Sequence, residues 1–413
     1  MVSLKYFKRP ENYAKIVIRW CILSVIMGII GGLLGAVFHH SLHYVTHLRS
    51  EHMWLIFLLP LGGLVTVAIY RHPKMRNNKG TNEVIEAVMD GHPETFQVAP
   101  SIFLATAITH LFGGSAGREG AALQLGGSAA SYLGRLFNLR ESNRKILVTA
   151  GMSAVFAGLF GTPLTATLIC MEFEVVGRMF SPALLPCFMS ALLASRISAL
   201  LGVHAETHIL TEAFTLTMDN CWQYLILAFF VSMLGILMCT VFHKAEHFAA
   251  HHLPNPFVRI AAGGVLITVM TLLVGDHRFN GAGMDMALKA VEGDADWYSF
   301  ILKMLFTAVT LAAGFKGGEI VPTFCIGATF GCVLGGLLGL DAGMAAAMGL
   351  VGIFCSASNS PFASILLSVE MFGGTNIHLF AFMCVICFVL SGNYGLYGSQ
   401  VLKYNKADEL GNL

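Results

Sequence analysis

The sequence predicts an all-α integral membrane protein built from two inverted-topology repeats of many tilted, partly broken helices. Three observations lead there. The 413 residues are 55% hydrophobic and only 12% charged, with a mean hydropathy of +0.70. Soluble domains carry about 25% charge, so this chain lacks the charge to coat a soluble globule. Many apolar segments are shorter than the roughly 18 residues that cross a core of about 30 Å, and 44 glycines are spread through the chain. Short, Gly/Pro-interrupted segments mark transporters with broken helices. Finally, the chain repeats itself at an offset near 200 residues. A net charge of +1 excludes a nucleic-acid binder, which shows a clustered basic surface. The ten cysteines are too few for a disulfide framework and read as free, mostly buried apolar residues.

In chain order, residues 1–20 carry Lys5, Lys8, Arg9, Lys15 and Arg19 and read as a cytoplasmic N-terminus. An apolar run from Cys21 to Phe38 continues a helix from Lys15. A second run, about 53–70, ends in Arg71, Lys74, Arg76 and Lys79. Basic residues stay cytoplasmic, so these runs form a hairpin with the 40–52 loop outside. Further apolar segments cover roughly 99–112, 120–137, 143–160, 163–176, 181–202, 221–243, 257–274, 297–313, 320–340, 342–357, 361–373 and 377–391. Residues 406–413 read as a short cytoplasmic tail.

The repeat rests on four collinear matches. VFHHSLHYVTH (37–47) matches VFHKAEHFAAHH (241–252), and GTNEVIEAVMDG (80–91) matches GMDMALKAVEG (283–293). GSAGRE (114–119) matches GFKGGE (314–319), and FAGLFGTPLTATLICME (156–172) matches FCSASNSPFASILLSVE (354–370). The first repeat spans 21–205 and the second 220–405, within one transmembrane domain. Loop charge, through Lys244 and Arg259 after the second VFH segment, favours an inverted relation. Inverted repeats place a substrate site near the midplane, where broken helices of each half meet.

GGSAGREG (113–120) sets Arg118 and Glu119 among Gly113, Gly114, Gly117 and Gly120 between two apolar runs. Charges at membrane depth usually line a polar cavity or pair. A glycine-rich bend leading into a helix presents unpaired N–H groups and a positive dipole end, which together suit an anion. Glu119 can fill that place itself or swing away and take up a proton; the plainer alternative is an N-capping Glu beside a salt-bridged Arg. GFKGGEIVP (314–322) repeats the arrangement with Lys316, Gly318 and Glu319, and Lys316 and Glu319 can equally pair with each other.

These motifs, the Pro-initiated helices at 163 and 361, and GLYGSQ (395–400) resemble the CLC family of chloride channels and anion/proton antiporters over about residues 20–405. The resemblance implies a homodimer with one ion pathway per subunit, in a bacterial-type inner or plasma membrane. It makes Glu119 the gating, proton-transferring glutamate, Tyr397 a hydroxyl donor to the anion, and Ile320 a backbone N–H donor. Ala121 stands where the family usually has proline. GTNEV (80–84) stands where the family has GSGIP, so Gly80 and Thr81 take the anion-motif positions without its serine or proline. The inner proton-transfer glutamate of chloride antiporters is matched by Phe173, flanked by Glu172 and Glu174.

This pattern resembles the fluoride-transporting branch most, with GREG and the GGE acid. It implies fluoride export coupled to proton import, with chloride/proton antiport or a passive channel as alternatives. The anion-binding set is then Gly80, Thr81, Gly117, Arg118, Gly120, Gly318, Glu319, Ile320 and Tyr397, with Glu319 and Glu172 as proton-path candidates. No nucleophile–base pair or metal-ligand set recurs with the repeats, so an enzyme, a cofactor and a metal are not expected. The partners are fluoride or chloride, protons and the lipid bilayer. His39, His43 and His47, like His243, His247 and His251, share a helix face at i, i+4, i+8. That spacing could hold a metal on one helix face, but they read as interfacial histidines at helix ends, on opposite membrane sides if the repeats are inverted. Glu172 and Glu370 are equivalent in the repeats and read either as capped carboxylates or, for Glu172, as a proton carrier. Glu83 and Glu86 read as facing a cytoplasmic loop.

Overall fold

In the computed structural model, which describes residues 10–71, 80–90, 96–172, 175–402 and 406, sixteen α-helices divide into two sets of eight. The first set is α1 (Pro10–Glu51), α2 (Leu59–Tyr70), α3 (Thr81–Asp90), α4 (Val98–Leu111), α5 (Glu119–Leu136), α6 (Glu141–Phe160), α7 (Pro163–Glu172) and α8 (Leu184–Leu200). It has a counterpart, in the same order, in α9 (Cys221–His252), α10 (Pro256–Val274), α11 (Met284–Val291), α12 (Ser299–Ala313), α13 (Ile320–Leu337), α14 (Ala342–Ser358), α15 (Pro361–Phe372) and α16 (Ile377–Leu390). Six helical spans are long and apolar enough to cross a membrane. Lys5, Lys8, Arg9, Lys74, Arg76, Lys79, Phe173, Glu174 and residues 407–413 lie outside the described residues.

The helices follow the apolar segments closely, with one correction. The loop expected at 40–52 is helical through Glu51, and the chain turns at His52. With 42 residues, α1 is about 63 Å long and must tilt or project beyond the hydrocarbon. Its polar end stays helical because the histidines stack one turn apart, His39 and His43 at 6.4 Å between centroids. Arg49 also anchors that end to α4 through the His110 carbonyl at 2.8 Å. Likewise α9 runs on through its own histidines to His252.

Local sequence explains how the short helices stop and restart. A left-handed residue closes α6 (Gly161, φ 70°) and its counterpart α14 (Asn359, φ 57°). Both residue types tolerate that conformation. A proline begins α7 and α15 two residues later, where its missing N–H costs nothing. Glycine also lets helices pack almost backbone to backbone. A Cβ on Gly151 of α6 would lie 2.5 Å from both the Ala130 Cβ and the Gly126 carbonyl of α5.

The pair α7 and α15 shows how the halves are joined. Glu172, the last residue of α7, accepts from the Ala363 N–H at the start of α15 at 2.9 Å. Glu370, near the end of α15, accepts from the Leu164 and Thr165 N–H groups at the start of α7, each at 2.8 Å. It also takes the Thr165 hydroxyl at 2.6 Å. Each helix thus ends where the other begins, so the two run antiparallel. Each carboxylate satisfies amides that a helix start leaves open. Replacing Glu370 with alanine is expected to cost about 1–2 kcal/mol, the worth of an N-cap, read as a lower thermal midpoint in detergent.

Among the described residues the two strands, β1 (Val175–Val176) and β2 (Val401–Leu402), pair in parallel over two residues each. All ten cysteines are free. Composition alone passed over a C-x-x-C spacing, Cys384 and Cys387 on α16. Both are buried and engaged with backbone, the Cys355 thiol reaching the Cys384 carbonyl at 3.3 Å and the Cys387 thiol reaching the Ala228 carbonyl at 3.7 Å.

Candidate functional site

Each repeat contributes a glycine-rich loop, and the two loops pair. The Gly117 N–H donates to the Gly318 carbonyl at 2.7 Å, and the Gly318 N–H to the Gly117 carbonyl at 2.8 Å. Helices α5 and α13 start just beyond this bridge, so two positive helix ends approach one spot. The Glu119 carboxylate fills it: Oε1 accepts from the Arg118 N–H at 3.1 Å and Oε2 from the Val321 N–H at 3.3 Å. The side chain is fully buried. Glycine is required at the bridge by this close approach. A Cβ on Gly318 would lie 2.6 Å from Glu119 Oε2 and 2.8 Å from the Glu119 and Gly120 amides.

Arg118 does not pair with Glu119. Its guanidinium turns away to an ion pair with Glu206, lies 5.2 Å from the Phe160 ring centroid, and meets His39 Nδ1 at 3.4 Å. Lys316 likewise makes no ion pair with Glu319 among the described residues; its ammonium sits 4.5 Å from the Tyr70 ring centroid. Neither base therefore makes a contact ion pair with the acid beside it among the described residues.

Two cavities flank Glu119. One, of about 690 Å³, is lined by Gly80, Thr81, Lys316, Glu319 and Tyr397, among others. The other, of about 450 Å³, is lined by Arg118, Glu206, Val321, His39 and His43, among others. Residues close to Glu119 thus open to different cavities, Gly317 and Glu319 to the larger and Arg118 and Val321 to the smaller, while the carboxylate itself lines neither. Thr81 packs against the start of α5, its hydroxyl 2.5 Å from where a Gly120 Cβ would stand.

Ile320 is fully buried at the head of α13, but the amide that reaches Glu119 belongs to Val321, one residue on. Glu172 lies away from this cluster, in its cap on α15. Glu86 lines the larger cavity and accepts from the Ser399 hydroxyl, in the turn before β2, at 2.7 Å. His39 lines the smaller cavity and His243 the larger, so the two histidine ladders reach different cavities. No group of three metal-ligating side chains occurs among the described residues.

Buried or half-buried charged residues outside the glycine motifs include Lys303, Arg49 and Glu206. Lys303 of α12 is fully buried and donates to the Ser115 hydroxyl (3.0 Å) and to the carbonyls of Phe279 (3.2 Å) and Gly281 (2.7 Å). It thereby ties the first glycine loop to the segment before α11. Its signal was available, since it is the only charge in the apolar run 297–313 and an intramembrane charge is a functional candidate by default. Arg49 and Glu206 carried no such signal, because one closes a polar helix end and the other lies in the linker between repeats.

Antiparallel half-molecules around a buried carboxylate, with a polar cavity on each side, define a membrane protein of the ion-transporting class. The family model described as "Voltage gated chloride channel" matches residues 62–392. The chain belongs to that family, the CLC proteins. It is 32% identical over 413 aligned positions to a "Chloride/fluoride channel protein" of Pseudomonas syringae pv. tomato, covering 98% of this chain and 91% of the relative. A crystal structure of a CLC-type fluoride/proton antiporter superposes with a TM-score of 0.90 at 31% identity, covering 93% of this chain and 98% of the other. A slow cyanobacterial Cl⁻/H⁺ antiporter shares the fold, with a TM-score of 0.76 at 22% identity over 90% and 94% of the two chains.

Proposed function

We propose that this protein is an anion/proton antiporter of the cell membrane that exports fluoride in exchange for protons. The observation that carries the reading is the Glu119 carboxylate held by amides from both repeats, between two cavities. An ionised carboxylate and a transported anion want the same N–H groups, so only one occupies the place at a time. A protonated Glu119 loses its hold and swings out, and the anion enters as the proton leaves the other way. Coupling is this competition.

In this reading the larger cavity is the cytoplasmic vestibule, on the side of the basic segment after α2. The anion moves from Thr81, Gly80 and Tyr397 past Glu319 and Ile320 to the bridge of Gly117 and Gly318, with Gly120 leaving room at the start of α5. Arg118, neutralised by Glu206, lines the outer exit. Glu319, beside the vestibule and two residues from the Val321 amide, is the proton partner of Glu119. Glu172 is accounted for by its cap and is the weaker proton candidate. The N-terminus is cytoplasmic, and the protein works as a homodimer with one pathway per subunit.

Fluoride is favoured over chloride by the Thr81 and GREG features, and by likeness to relatives named for fluoride at 31–32% identity. Chloride/proton antiport is the second reading, favoured by the shared fold with a Cl⁻/H⁺ antiporter. Efflux from proteoliposomes, followed with fluoride and chloride electrodes, decides between them. Fluoride is expected to leave at least about tenfold faster, a discrimination of about 1.4 kcal/mol. Faster chloride efflux would overturn the fluoride assignment.

A further inference from the structure

We propose that a cleft between the C-terminal end of α2, the start of α10 and the end of α12 binds the phosphate of an anionic lipid headgroup. The cleft has a volume of about 600 Å³, and its lining includes Arg71, Arg259, Lys316, Tyr70, Asn255 and Phe257, with no carboxylate among the described residues. Two of its three cations lie against aromatic rings. The Arg71 guanidinium lies 5.4 Å from the Phe257 centroid, and the Lys316 ammonium 4.5 Å from the Tyr70 centroid. Two polar atoms there, Tyr70 Oη and Arg259 Nε, are buried and make no hydrogen bond among the described residues. Three cations and unpartnered donors around one space fit a phosphate. Basic pockets between transmembrane helices on the cytoplasmic side are where acidic headgroups bind.

The surface beside the cleft selects a lipid over free phosphate. Leu61 and Val65 of α2 and Val258 and Val265 of α10 are each more than half exposed, giving an apolar face on the same two helices along which acyl chains can lie. The site also touches transport. Arg259 and Lys316 line both the cleft and the larger cavity, while Glu246 and Glu319 face them only from the cavity side. A bound phosphate draws on the same two cations that make the vestibule attractive to an anion, so occupancy raises the anion concentration needed for half-maximal transport. That consequence rests on the transport reading; the binding does not.

The test is therefore a binding measurement on the full chain. Detergent-purified protein is examined by native mass spectrometry with added phosphatidylglycerol or phosphatidylcholine, and inorganic phosphate is titrated separately by calorimetry. The wild type is expected to retain phosphatidylglycerol preferentially. Arg71→Gln, at an exposed position outside the ion pathway, is expected to lower that retention about fivefold, the effect of one cation at a headgroup. Tyr70→Phe, which keeps the ring and removes the hydroxyl, is expected to lower it less. Equal retention of the two lipids by the wild type overturns the proposal. So does saturable phosphate binding without a lipid preference, which would assign the cleft to the free ion. An undiminished phosphatidylglycerol preference in Arg71→Gln overturns it as well.

Discussion

Replacing Glu119 with glutamine abolishes proton coupling and leaves at most a passive anion leak. The amide keeps the shape of the side chain but can neither ionise nor carry the proton. It also turns a donor toward amides that are themselves donors. The contacts from Arg118 N–H at 3.1 Å and Val321 N–H at 3.3 Å each lose a charged acceptor, and charge-assisted bonds are about twice as strong as neutral ones. Proton flux driven by a fluoride gradient is expected to fall by about a hundredfold or more, the lower range for removing a general acid–base group. Proteoliposomes with a pH electrode outside give the measurement. Uphill proton movement by purified Glu119→Gln protein would remove Glu119 from the mechanism.

Placing a methyl group at position 318 is the second large effect. The Gly318→Ala side chain would meet the backbone nitrogens of Glu119 and Gly120 at 2.8 Å. Backbone cannot swing aside as a side-chain tip can, so the loops must part. Two buried bonds across the bridge are then lost, leaving donors and acceptors unmet at about 1–3 kcal/mol each. A loss of about 2–5 kcal/mol in stability is expected, with transport reduced by at least about tenfold. Gly336→Ala, in the helix α13 that follows this loop, is the control. Its Cβ would meet nothing within 4 Å, and alanine is the better helix former by about 1 kcal/mol. Thermal unfolding and fluoride efflux of the two variants should therefore diverge. Wild-type efflux from Gly318→Ala would mean that the bridge is not part of the pathway.

The sequence disclosed those parts of the molecule that are written locally. Helix positions followed from apolar runs, because lipid demands them. The glycine loops at 113–120 and 314–322 stood out because charge beside glycine is rare at membrane depth. Contacts that join distant segments were not legible. Nothing local says that Arg118 turns to Glu206, that Glu86 faces Ser399, or that Lys303 reaches Ser115. The polar end of α1 was misread for another reason: histidines and an arginine look like loop when their partners are unseen, yet Arg49 finds a carbonyl on α4. For Glu172 the sequence offered two readings, and the cap on α15 became visible only with the second repeat in place.

The exchanged carboxylates of α7 and α15 also bear on biosynthesis. A chain made from its N-terminus presents α7 to the membrane long before Glu370, which lies 206 residues beyond Leu164, has been translated. Unsatisfied amides in hydrocarbon cost several kcal/mol each. The first half therefore cannot settle into its final form as it emerges. It must wait in a wetter or shallower arrangement until the second half supplies the missing acceptor, and it then returns the favour through Glu172. The contacts that complete the start of α7 thus form only once α15 has been made.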